Sequence, residues 1–251
     1  MKRLIFLLLL LAGAASLSAR VSAGIEKSNL PDTLNWVDQS RNRVVPVAIY
    51  EPAGSARKSK VVILNHGYWA NRWGSFKAYS YLADYLTAKG YTVVSIQHEL
   101  ASDELLPLAG NAYQTRKPNW ERGVQNILFV ISQLRKTRPE LDYKHLSLIG
   151  HSNGGDMAML FATEHPQLVS KVITLDNRRM PFPRVKRPAI YSLRSMDQPA
   201  DEGVLPTADE QRKTGIKVIT LKNTKHNEMD DSGKDAQKAE IISLIAGFLA
   251  N

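Results

Sequence analysis

The stretch that decides the fold is Leu146-Ser-Leu-Ile-Gly150-His151-Ser152-Asn153-Gly154-Gly155, followed by the helical pattern of Met157, Leu160 and Phe161. A short apolar run of this kind fits a strand buried on both faces. It feeds a G-x-S-x-G turn that opens directly into a helix. In that context the pattern has a mechanical reading: a sharp strand-to-helix turn lifts the serine hydroxyl above the sheet edge. Side chains two residues to either side would collide there, which explains Gly150 and Gly154. The helix that follows aims its N–H groups and the positive end of its dipole at the same point. Ser152 is therefore a candidate nucleophile.

Working outward, the same alternation continues in both directions. Upstream, 43–50 reads as a strand, with Pro46 favouring an edge position, and 61–64 as a buried strand ending in Asn65-His66-Gly67-Tyr68. A helix is expected over 74–89, stopped by Gly90, then a strand over 91–96. The pattern fails from 97 to 119, which is expected to be a long loop, and resumes with a helix over 120–135. Downstream, strands are expected over 172–175, 189–193 and 216–221, and a closing helix over 236–249. Residues 24–43 read as polar and irregular. Alternating strands and helices imply an α/β fold with a mainly parallel sheet covered on both faces. The elements share one sheet, so 24–251 is read as a single domain. Ligands in such folds bind beyond the carboxyl ends of the strands.

Residues 1–23 stand apart. Met1-Lys2-Arg3 is a positive start, Leu4 to Ala12 is apolar, and Leu17-Ser18-Ala19 and Val21-Ser22-Ala23 are small-residue ends. Together they describe a secretory signal peptide, cleaved after Ala23 or, as the second choice, after Ala19. The apolar run is shorter than the ~20 residues of a spanning helix. The expectation is an exported protein, periplasmic or secreted, with no stable membrane anchor after cleavage. The 251-residue chain carries a formal charge of +9, and loss of the leader leaves +6. The chain has no cysteine, which excludes disulfides, thiolate metal sites and a cysteine nucleophile. No metal-ligand cluster, phosphate loop or nucleic-acid motif occurs, so no cofactor, metal or nucleic-acid partner is expected. The basic stretch Arg178, Arg179, Arg184, Lys186 and Arg187 reads as a solvated loop, and Asp230-Asp231-Ser232 as a cap for the last helix. The sequence is silent on oligomeric state.

From about Val44 onward the chain resembles the α/β-hydrolases, and within them the bacterial esterases similar to dienelactone hydrolases. The elbow, the strand before it, the early His-Gly loop and a late histidine fall in that family's order. The resemblance implies an α/β-hydrolase fold and backbone N–H groups of Tyr68 and Asn153 as oxyanion donors. It departs from dienelactone hydrolases in carrying Ser152 where they usually carry cysteine. Of the six histidines, His226 follows the last strand, where the family places its base, and His98 and Trp69 are candidates to line the substrate pocket. The family's acid usually follows the strand before the last. Asp197 sits at that offset, giving the order Ser152, Asp197, His226; Asp201 and Asp176 remain alternatives. Only 177–187 separates two strands there, leaving no room for a cap. The expected activity is hydrolysis of small-molecule carboxylic esters through an acyl-enzyme. A peptidase or amidase on the same fold, or a binding protein that keeps the fold, are the rival readings.

Overall fold

A computed structural model describes residues 31–54, 56 and 58–250; the leader expected over 1–23 lies outside them. Eight strands form one sheet: β1 (Asp32–Asp38), β2 (Arg43–Tyr50), β3 (Lys60–Asn65), β4 (Thr92–Ile96), β5 (Asp142–His151), β6 (Lys171–Leu175), β7 (Ala189–Arg194) and β8 (Lys217–Thr220). Their spatial order is β1-β2-β4-β3-β5-β6-β7-β8. β1 and β2 run antiparallel to their neighbours, and β4 to β8 are parallel. The helices are α1 (Ser80–Ala88), α2 (Ala112–Thr137), α3 (Ser152–Glu164), α4 (Ala208–Thr214) and α5 (Asp235–Ala250).

Strand alternation builds two cores from one sheet. Val61 and Ile63 of β3 join a core with Trp120, Val124 and Ile127 of α2 and Met157 and Phe161 of α3. Val62 and Leu64 join a second core with Leu82 and Leu86 of α1 and Ile241, Ile245 and Phe248 of α5. Helix α3 buries ten of its thirteen residues, wedged between the sheet and α2. The serine at its start is therefore held by the most enclosed of the described helices.

Three features differ from the sequence reading. Residues 32–38 form the outer strand β1, so β2 is not an edge. Pro46 is tolerated because its carbonyl, accepting from Gln97 N–H at 2.9 Å, faces the side where β4 has already ended at Ile96. The missing N–H thus breaks no ladder bond. Helix α2 begins at Ala112, two turns earlier than expected, capped by the Asn111 side chain on Gln114 N–H. Pro118 sits within it, opposite an exposed Gln114 whose carbonyl water can satisfy. The polar helix α4, closed by a Thr207–Glu210 capping box, was not anticipated. Between β6 and β7 there is no helix, as the short spacing implied.

Candidate active site

The register sets Asn65 beside Gly150, and His151 beside Leu175, so the turns after β3, β5 and β6 open at one sheet edge. Ser152 takes φ +50°, the left-handed region that costs a side-chain-bearing residue energy. The turn is kept that tight by its glycines. A Cβ at Gly154 would stand 2.3 Å from the Asn65 carbonyl oxygen, and one at Gly150 2.3 Å from the Gly154 carbonyl oxygen.

Three side chains from separate loops meet at this point. Ser152 Oγ lies 2.9 Å from His226 Nε2, and His226 Nδ1 lies 2.6 Å from Asp176 Oδ2. The two contacts fix the tautomer: Nδ1–H donates to the carboxylate and Nε2 accepts from the serine. The acid beside the imidazole is Asp176, not the expected Asp197, and this corrects the sequence reading. Asp176 directly follows β6, is fully buried and takes φ +59°, a conformation aspartate tolerates better than most residues. Ser195, after β7, turns its N–H and hydroxyl onto Asp176 at 3.0 and 2.6 Å. That turn sends Asp197 past the ring to accept the backbone N–H of His226 at 2.8 Å. Both acids touch His226, one at the imidazole and one at the main chain. Asp201 touches neither and pairs with Arg179 at 3.4 Å.

Burial alone would raise the Asp176 carboxyl. Hydrogen bonds from His226 and Ser195, with the charge of Arg194, outweigh it and hold the group below the ordinary carboxylate range. Arg194 is itself buried, with Nη2 2.7 Å from Asp176 Oδ1. No pattern in the sequence signals this ion pair.

A second chain of bonds fixes the base from behind. Tyr79 Oη accepts the Gly67 N–H at 3.1 Å and donates to His151 Nδ1 at 2.7 Å. His151 Nε2–H then donates to the His226 carbonyl at 3.0 Å. Burial and the neighbouring His226 push the His151 pKa down to about 3, so the ring is neutral and keeps this tautomer. The x residue of the elbow thus ties the β3 loop to the histidine loop.

Tyr68 and Trp69 line the cleft with Ser152. The Tyr68 hydroxyl accepts the Leu106 N–H at 2.9 Å. Asn153, the other expected oxyanion residue, follows Ser152 in the first turn of α3, where backbone N–H groups lack intrahelical partners. Its side chain points into the interior, donating to Glu99 at 3.0 Å and Asn119 at 2.8 Å and accepting from Trp120 Nε1 at 2.8 Å. His98 belongs to this interior network rather than to a substrate pocket. It is 1% exposed, donates through Nε2 to Asn65 Oδ1 at 2.9 Å, and is held neutral chiefly by burial.

The cleft holds about 400 Å³ and is lined by Tyr68 and Trp69 from the loop after β3 and by Asn227, Asp230 and Ser232 from the loop that carries His226. None of Leu105, Leu106, Leu108 and Tyr113, before and at the start of α2, lines it. Asp231 does not cap α5. Its carboxylate accepts from Ser80 and Tyr81 N–H at 3.0 and 3.1 Å, capping α1. Among the described residues no group of acidic and histidine side chains could hold a metal ion. No described helix is long and apolar enough to cross a membrane.

The family model for serine aminopeptidase, S33, matches residues 56–176, which take in the His-Gly loop, Ser152 and Asp176. Solved structures match almost the whole chain. An esterase of Thermogutta terrifontis with butyrate bound covers 89% of this chain and 95% of its own, with TM-score 0.64 and 11% identity. The fold is that of an α/β-hydrolase. An acylaminoacyl peptidase of Pyrococcus horikoshii has TM-score 0.67 and 14% identity over 90% of this chain, but only 42% of its own. A serine hydrolase-like protein of Dictyostelium discoideum is 26% identical over 125 residues. That match spans 49% of this chain and 30% of the relative, so the chain spans less than a third of the curated protein it resembles.

Proposed function

We propose that the protein is a serine hydrolase that cleaves small carboxylic esters through an acyl-enzyme. The reading rests on one observation: the hydrogen-bonded chain Ser152–His226–Asp176, opening into a solvent-accessible cleft. His226 Nε2 takes the Ser152 proton as Oγ forms its bond to the carbonyl carbon. The carbonyl electron pair moves to oxygen, where the N–H groups of Tyr68 and Asn153 receive it; such donors supply roughly 3–4 kcal/mol each. As the C–O bond to the alcohol breaks, His226 returns the proton to the leaving oxygen. Water, deprotonated by His226, then releases the acid. Asp176 holds the imidazole tautomer and stabilises its protonated form. No step calls for a cofactor.

The acyl group is expected to be short, because no segment among the described residues caps the cleft and Trp69 is its main apolar wall. The structural neighbour with butyrate bound agrees with this. Export through the 1–23 leader, as a periplasmic or secreted enzyme, belongs to the same proposal. The serine aminopeptidase model favours one rival, amide cleavage at the same serine. A matched pair of substrates, p-nitrophenyl butyrate and butyryl p-nitroanilide, separates them. The expected result is ester turnover that Ser152→Ala abolishes, with the anilide at least about a hundredfold slower. Anilide turnover equal to the ester would establish the rival, and inertness to both would overturn the proposal.

A further inference from the structure

Asp230 lies in the wall of the cleft and is 6% exposed. One carboxylate oxygen, Oδ1, accepts from Ser232 N–H at 2.9 Å and from Ser232 Oγ at 2.6 Å. The other, Oδ2, has no hydrogen-bond partner among the described residues, and it is not sealed from solvent. Asp230 thus meets the cleft with part of the little surface it exposes. No basic side chain among the described residues pairs with it, although the chain as a whole carries +9. Its neighbour Asp231 differs, since both of its oxygens are spent on α1.

An unpaired carboxylate at this place works against the reaction proposed above. Negative charge develops on the carbonyl oxygen in the same small cleft, and like charges in a partly desolvated site repel strongly. A cation on the substrate removes the conflict, and the aromatic rings of Tyr68 and Trp69, which line the same cleft, would favour it further. The position within the cleft says which part of the substrate carries it. His226 must reach the leaving oxygen to return its proton, so the alcohol lies over the segment that bears His226. Asn227, Asp230 and Ser232 are on that segment.

We propose that Asp230 forms a cation subsite for the leaving group, and that preferred substrates are esters of ammonium-bearing alcohols. This rests on the serine-hydrolase reading, and the test keeps the two apart. Three thioesters are compared by thiol release: butyrylthiocholine, its neutral isostere with a quaternary carbon in place of nitrogen, and a trimethylammonio-butyryl thioester of a neutral thiol. The expected kcat/KM for butyrylthiocholine exceeds that of the isostere by on the order of tenfold at low salt, and the excess shrinks as ionic strength rises. In Asp230→Asn, which keeps an acceptor for Ser232, the ratio of the two falls toward one. Reading a ratio within each variant cancels any general loss from the substitution. Equal rates on the charged and neutral alcohols in the wild type would overturn the subsite while leaving the hydrolase intact. So would preference for the cation on the acyl side, or a ratio unchanged in Asp230→Asn. Inertness to all three would instead strike the hydrolase reading itself.

Discussion

The replacement Asp176→Asn separates the two acids that touch His226. In the wild type the carboxylate accepts the Nδ1–H at 2.6 Å and leaves Nε2 free to take the serine proton. An asparagine can turn its NH₂ toward Nδ1, and the imidazole then carries its proton on Nε2, where it is useless as a base. Loss of the tautomer and of the charge that stabilises the imidazolium is expected to lower kcat by about 10³–10⁴, which is about 4–5.5 kcal/mol of barrier. The same change strips Arg194 of its buried counter-charge. Removing one partner of such a pair costs about 3–5 kcal/mol, or roughly 6–20 °C in Tm for a domain of this size. Asp197→Asn keeps an oxygen for the His226 N–H and leaves Arg194 paired, so kcat should stay within about threefold, a small fraction of the preceding loss. Ester hydrolysis at 25 °C, below both melting transitions followed by circular dichroism, reads the two variants side by side. A loss of more than a hundredfold in Asp197→Asn, with Asp176→Asn within tenfold of wild type, would refute the assignment.

Gly154→Ala should abolish activity and lower yield of folded protein, because its Cβ meets two backbone carbonyl oxygens at 2.3 and 2.4 Å that cannot move aside; wild-type behaviour would contradict the geometry of the elbow. Activity on p-nitrophenyl esters should peak at about C2 to C6, since each further CH₂ adds about 0.8 kcal/mol only while it meets apolar wall; a steady rise to C12 with interfacial activation would contradict the open cleft. Acid should destabilise the fold. His98 and His151 stay neutral when folded, but in the unfolded chain they take up protons as pH drops below about 6.5, so each removes about 1.4 kcal/mol of stability per pH unit toward its folded pKa. Asp156, raised to about 6 by burial, takes up a proton in the folded state over part of this window and offsets one of the two. The urea midpoint should thus be lower at pH 5 than at pH 7, and an equal or higher midpoint would be contrary evidence. The exported protein should begin at Gly24, or at Arg20 if the earlier site is used; intact mass with Met1 retained would remove the leader from the proposal.

The parallel sheet, the elbow and His226 were legible because each rests on a local pattern: apolar strand runs, glycines forced by close backbone approach, and a histidine after the last strand. What the sequence hid is set by tertiary placement. Asp176 and Asp197 both follow strands, and only the turn of Ser195 back toward β6 decides which reaches the imidazole. His98 also follows a strand, but its bond to Asn65 Oδ1 and the packing of α2 draw it inward, away from the cleft. The early start of α2 is masked by Pro118, whose lost backbone bond water can offset on an exposed face. Strand β1 was missed because its side chains are mostly exposed and it pairs on one side only, which leaves little apolar alternation to read. The Arg194–Asp176 pair joins residues eighteen apart, and no pattern in the sequence links them.

The most direct test of the account is mass spectrometry of the protein after reaction with a fluorophosphonate probe. The account predicts a single covalent phosphonyl adduct on the peptide that carries Ser152, formed in the wild type, slowed by orders of magnitude in Asp176→Asn and in His226→Ala, and absent in Ser152→Ala. A folded wild type that forms no adduct, or one whose adduct sits on any other residue, would contradict it.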